Sequence, residues 1–242
     1  MKTTTLTLAL FAAIASFAES AKAAVVPGAI PVVNAIAGSP GDNATGNGSI
    51  SRVFDGSGLT IGNSNDDSTW LHDTSWETGW QGQLGIQPKT WVVADLGANL
   101  STLRSLYLWN VSEENATGRG VRQMDIYYSS SPTVTPVTEV PYNFSSGGWT
   151  QLNSTFTVPE GTSLPAGNVL SSKIDLSAIS SARYIGFDLL SNYGDAINRT
   201  GLAEVQFSTI PLSSVPEPST SLGLLALSAG GLLTRRNRNR KA

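Results

Sequence analysis

Through the middle of this chain, apolar positions recur in short runs of period two, and nowhere with the sustained 3.6-residue spacing of an amphipathic helix. The runs predict strands at 51–54, 91–95, 103–109, 123–129, 150–158, 172–176, 184–190 and 203–207, with Gly, Asn, Pro and Ser between them. Eight short strands and almost no helix predict an all-β fold, a sandwich or a barrel. Two polar connections, 56–88 and 130–148, are long for such a fold, where long loops are functional or disordered. Pro132, Pro136 and Pro141 with three threonines make the second read as a passive excursion. No internal repeat is present.

Both ends break the pattern. Lys2 precedes an apolar stretch, 6–17, too short for a stable span, and Ala21-Lys22-Ala23 supplies the small-x-small spacing before a cut. This predicts a signal peptide over 1–23, a mature chain beginning near Ala24 and a lead-in over 24–31. At the other end a linker, 210–218, contains Val215-Pro216-Glu217-Pro218, which two prolines hold extended and accessible. An uncharged apolar run, 219–234, follows, then a basic end, 235–242, with four arginines and a lysine. As a helix the run reaches about 24 Å, short of a ~30 Å hydrocarbon core, so it spans only if the arginine stems snorkel to the headgroups. Their charge resists transfer and keeps the C-terminus cytoplasmic. Everything between the two ends is expected outside.

Without the two ends, eight basic and sixteen acidic residues remain. A formal charge of about minus eight argues against nucleic acid or anionic lipid as partners of this body and leaves divalent cations and neutral ligands open. About 190 residues suffice for one sizeable core. The chain has no cysteine, so an exported domain must rely on packing, with or without a metal.

The tail, Pro216-Glu217-Pro218 with the Gly-rich apolar stretch through Gly230-Gly231 and the basic end, resembles the PEP-CTERM sorting tail of Gram-negative bacteria. That resemblance implies an exosortase-type membrane enzyme that recognises the Pro-Glu-Pro signal and cuts; an ordinary C-terminal anchor is the alternative. In the body, Val53-Phe54-Asp55-Gly56-Ser57-Gly58-Leu59, Trp91-Val92-Val93-Ala94-Asp95-Leu96-Gly97, Gly118–Ser129, Trp149-Thr150-Gln151-Leu152, Tyr184-Ile185-Gly186-Phe187-Asp188 and Gly201-Leu202-Ala203-Glu204-Val205-Gln206-Phe207 together resemble the discoidin, or coagulation-factor type C, domain over 32–209. This is the galactose-binding-like jelly roll shared by many bacterial carbohydrate-binding modules. The stretch 56–88 departs from the family, with Ser68-Thr69-Trp70 following an insertion.

The resemblance implies a structural Ca²⁺ held by Asp55, Glu204 and oxygens of the 57–60 turn, including Thr60. Six to eight hard oxygens suit that ion. The alternative is that Asp55 caps a turn and Glu204 faces water. Family ligands bind through loops at one end, here 110–119 and 191–199. The first long connection adds Trp70, His72, Trp76 and Trp80 within eleven residues. An indole in a loop either stacks on a partner such as a sugar ring or plugs the sandwich. Trp70 is expected to plug; Trp76 and Trp80 are open to either fate. His72, Arg119, Asn192 and Tyr193, with Asp73, Glu77 and Asn110, are the candidate polar contacts. Arg119 can equally pair with Glu113 or Glu114.

Catalytic constellations are missing from the sequence. His72 is the single histidine and no Gly-x-Ser-x-Gly elbow is present. Asp66-Asp67 and Glu113-Glu114 are neighbours on loops and do not face each other across a cleft. The expectation is an exported, calcium-stabilised, non-catalytic glycan-binding module. An inert component of an exopolysaccharide matrix and an enzyme using Glu77 or Glu113 are the rival classes.

Overall fold

The computed structural model of the protein describes residues 23–39, 41, 48–82, 89–163 and 168–212. They form thirteen strands and three 3₁₀ turns, without an α-helix among the described residues. The architecture is an all-β sandwich, one of the two forms that the period-two pattern predicts, and the jelly roll that the discoidin resemblance implies. A front sheet runs β1 (Ala29–Ile30), β13 (Gly201–Ser208), β7 (Ser105–Asn110), β11 (Ser172–Asp175), with β5 (Trp80–Gln81) also on β13. A back sheet runs β2 (Asn34–Ala37), β6 (Thr90–Leu100), β12 (Ala182–Asn192), β8 (Val121–Ser129), β9 (Thr150–Thr157). The strands of both sheets pair antiparallel. Alternation places Val92, Ala94 and Leu96 of β6, Met124 and Ile126 of β8, and Ile185, Phe187 and Leu189 of β12 against Leu106, Leu108, Val205 and Phe207 of the front sheet.

Two further layers cover the outer faces. The connection 56–88 is not one loop. It carries a hairpin, β3 (Leu59–Asn63) and β4 (Asp66–His72), joined by β10 (Asn168–Val169) into a small third sheet. This sheet lays Leu59 and Trp70 over Tyr107, Trp109 and Ala203 of the front sheet. Trp70 plugs, with its ring 5.1 Å from Tyr107 and its indole N–H donated to the Asn63 carbonyl. The connection 130–148 has no strand, yet it is more than an excursion. Tyr142, Phe144 and Trp149 cover Trp91, Val93, Tyr127 and Tyr184 on the back sheet. Phe144 stacks on Tyr127 at 5.0 Å over Gly186, where a side chain would collide with it.

The expected strand at 51–54 is a 3₁₀ turn, Ile50–Phe54. Val53 and Phe54 are consecutive and both buried, which a strand with two opposite faces does not allow. At the edge of the back sheet the β8–β9 register jumps between Met124↔Phe156 and Ile126↔Leu152, with Asn153 left-handed at φ 56°. The first and last stretches of the described body meet: β1 pairs with β13, the Thr209 N–H donates to the Gly28 carbonyl, and Ala24 and Leu212 lie against the same buried cluster. The Pro216-Glu217-Pro218 signal, the apolar run, the basic end and the signal peptide through residue 22 lie outside the described residues.

Candidate functional site

At the end of the sandwich remote from those termini, β5 hangs on the start of β13 through Gln81↔Gly201 and Trp80↔Leu202. Gln81 is buried and works in both directions: its amide N–H donates to Glu113 Oε2 at 2.8 Å, and its Oε1 accepts from Arg119 Nη1 at 2.8 Å. Arg119 also reaches Glu113 Oε2 at 3.1 Å and Asp195 Oδ1 at 3.3 Å. Three loops are thus locked through one half-buried guanidinium. The Asp195 carboxylate in addition accepts the Ile197 and Arg199 N–H groups, which shapes its own loop. Beside this cluster lies a small cleft, a depression of about 10 Å³, walled by Trp76, Asp73, Ser75, Gln81, Ser112 and Glu113 and floored by Trp80, Val111, Leu202 and Ala203. Trp76 sits on a 3₁₀ turn, Trp76–Thr78, whose Ser75 cap accepts the Glu77 N–H, and it remains 41 % exposed.

The other candidates are placed differently. Trp80 is fully buried among the core residues beneath the cleft and offers no face to a ligand, because β5 turns it inward against the sandwich. His72 is on β4, buried opposite Leu59 and Asn168; its Nδ1 lies 2.9 Å from the Asp73 carbonyl, which assigns the proton to Nδ1, while Nε2 has no partner among the described residues. Burial pushes its pKa below the ordinary value despite Asp73. Asn192 is spent on the Arg199 carbonyl and the Gly194 N–H, and the Tyr193 hydroxyl on the Val158 carbonyl. Asn110 is wholly buried, donating to the Val121 and Pro159 carbonyls, so it contacts no sugar. Gln81 and Asp195 escaped the sequence reading: one looks like the polar partner of Trp80 in a two-residue alternation, the other like a turn cap after Gly194.

The expected metal residues divide. A bulge in β13, where Leu202 faces Asn110 but Glu204 faces Trp109, turns Glu204 out of the sandwich core and onto the face beneath the third sheet. There it is completely buried. Its Oε1 accepts from Gly56 N at 3.1 Å and from the Gln206 amide, while Oε2 has no partner among the described residues. Burial first, with the neighbouring Asp55 charge assisting, holds its pKa well above the usual carboxylate range. Asp55 occupies the same turn but bonds Ser57 N and Arg52. Gly56 is left-handed at φ 74°, and any side chain there would strike the Ala24 carbonyl. Thr60 stands exposed on β3 opposite Leu71. Among the described residues no three His, Asp or Glu side chains converge on one point, so a cation here would need backbone oxygens.

The tail is decided by comparison with known families. Residues 214–239 carry a PEP-CTERM protein-sorting motif. The motif implies export and sorting to the cell envelope. Among curated proteins nothing matches. Similar solved structures include a family 32 carbohydrate-binding module from C. perfringens NanJ in complex with galactose, at 14 % identity over 74 % of this chain and 96 % of that one, TM-score 0.44. A Streptococcus pneumoniae fucose binding module is 16 % identical over 75 % and 94 %, TM-score 0.44. The lectin domain of lectinolysin complexed with Lewis B antigen is 16 % identical over 74 % and 93 %, TM-score 0.42. Likeness at this level does not reach individual site residues.

Proposed function

We propose that this PEP-CTERM-tailed protein is delivered across the inner membrane, held there by its apolar tail, handled by an exosortase-type enzyme, and works outside as a glycan-binding module without catalysis. The observation that carries the binding reading is Trp76, an indole 41 % exposed at a small cleft whose lining combines apolar Val111, Leu202 and Ala203 with the planar groups of Gln81, Glu113 and Asp73, Gln81 and Glu113 being held by Arg119. A sugar ring offers the two complementary surfaces, C–H groups for the indole and hydroxyls for the planar groups. Glu113 shares its carboxylate with Arg119 and Gln81, an arrangement suited to orienting hydroxyls and ill suited to proton transfer.

Calcium belongs to the same proposal as a structural ion. Glu204 Oε2, buried and without a partner among the described residues, and the adjacent Asp55 turn fit a hard cation; the Gly56 and Gly58 carbonyls already accept the Leu59 and Asp73 N–H groups, so further oxygens have to come from elsewhere around the turn. Thr60, exposed, fits less well through its hydroxyl. When bound, the ion would supply the missing charge partner to Glu204.

A second reading, inert bulk within an exopolysaccharide matrix, is favoured by one feature: the polar groups at the cleft already satisfy one another. A glycan array with and without Ca²⁺, repeated with Trp76→Ala, separates the two. A selective spot lost in the variant supports recognition. No selective spot in the intact protein leaves the matrix reading.

A further inference from the structure

The geometry points to a second membrane contact: the end of the sandwich that carries both chain termini rests on the bilayer surface, touching it through Val25, Val33 and Ile210. This rests on the reading that the apolar run 219–234 is membrane-embedded. Ala24 and Leu212 both pack against one buried cluster, so the mature start and the approach to the sorting signal leave the body from the same outer face of the front sheet. Seven residue steps separate Leu212 from Ser219, where the apolar run begins. Fully extended, they reach no more than about 25 Å. A tether this short holds one particular face of the body near the lipid, and that face carries exposed aliphatics.

Val25, Val33 and Ile210 are 52 %, 62 % and 44 % exposed. Val25 and Val33 line a single groove of about 510 Å³ with Ile30, Pro31 and Val32, with Asn34, Asp55 and Gln206 among its polar walls, and Ile210 lies against Gly28, the residue before Ala29 of the same groove. Clustered exposed aliphatics mark a contact surface; a second such group, Val134, Val137 and Val140, lies on the connection over the back sheet. The tether decides what meets the first, because it presents the bilayer at high effective concentration whatever other proteins are nearby. Uncharged aliphatics need no anionic headgroup, which suits a body of negative charge.

The consequence is orientation. Leu202, beside the cleft, and Ser208, at the tethered end, lie on the same strand about 20 Å apart, so a docked body points Trp76 away from the membrane.

The chain has no cysteine, so single labels are clean. The full-length protein is reconstituted into phosphatidylcholine vesicles as Val25→Cys, Val33→Cys, Ile210→Cys or, at the opposite end, Val169→Cys, each carrying an environment-sensitive fluorophore; quenching by lipids spin-labelled near the headgroup is read after flotation. Docking predicts quenching about twofold or more above Val169→Cys at all three positions, the depth of an interfacial contact. Flotation with all four labels equally unquenched overturns the docking and leaves the membrane tail intact. Quenching that appears only when the exosortase is co-reconstituted overturns it in favour of a protein partner. Failure to float brings down the anchored tail and the docking with it.

Discussion

The connection over the back sheet and the one that builds the cleft carry similar aromatic content and use it in opposite ways. In the first, the aromatic polar groups are chained together: the Trp91 indole donates to the Val140 carbonyl, the Trp149 indole to the Tyr142 hydroxyl, and that hydroxyl to the Val134 carbonyl. In the second, Trp76 stays half in water, and three buried polar atoms nearby or beneath, Trp80 Nε1, His72 Nε2 and Glu204 Oε2, find no partner among the described residues. Buried polar groups cost free energy when unmatched. The first region is therefore finished as a piece of architecture, and the second is the side on which ligands are expected.

The sharpest way to break this contrast is by truncation. Phe144→Ala and Trp80→Ala should each cost about 3–5 kcal/mol of unfolding free energy, as large buried rings do, whereas Trp76→Ala should cost less than about 0.5 kcal/mol while weakening glycan binding about tenfold or more. Urea titration and glycan titration of the same three variants decide it; a Trp76→Ala protein that is badly destabilised would return that indole to the architectural class. Overpacking comes next. Gly186→Ala must displace the Phe144 ring, an expected loss of about 1–3 kcal/mol, and it should leave glycan binding untouched.

The unmatched atoms supply two smaller tests. Ca²⁺ should raise the melting temperature of the wild-type protein by several degrees, since about 1 kcal/mol moves a body of this size roughly 2–4 °C, and Glu204→Gln should abolish the rise; an unchanged Tm on addition and chelation eliminates the ion. For His72 the folded pKa lies below the ordinary value of 6.5, through burial. Above that pH both states are unprotonated and its full contribution is present; as pH falls below it the unfolded chain takes the proton first, and stability declines towards the lower folded value. Thermal melts between pH 7 and 5 should therefore show a loss that His72→Gln lacks.

Seven of the expected strands are present because their alternation, as in Val92-x-Ala94-x-Leu96, is itself the buried face of the sandwich. The hairpin β3–β4 was illegible because its outward residues, Asn63 and 66–69, are those of a turn; Thr69 Oγ1 and the Asp66 carboxylate bond within it and the strand pattern is supplied by Leu59, Ile61 and Trp70 alone. Glu204 was visible as an acid in an apolar strand, but its side depends on a bulge that no residue type announces. The Arg119–Glu113 pair was foreseeable from spacing; Gln81 and Asp195 join it only through tertiary proximity. The burial of Trp80 against the exposure of Trp76 turns on a two-residue strand, below the length at which periodicity speaks.

The irregular rim of the back sheet has a consequence for molecules held together on one surface. A straight outer strand, with its row of free amide and carbonyl groups, invites the same strand of a neighbour to zip alongside. Here the register jump at Asn153 offsets those groups partway along, so a neighbour's strand could match only half its length at a time. Crowded copies can slide past one another without fusing into fibres.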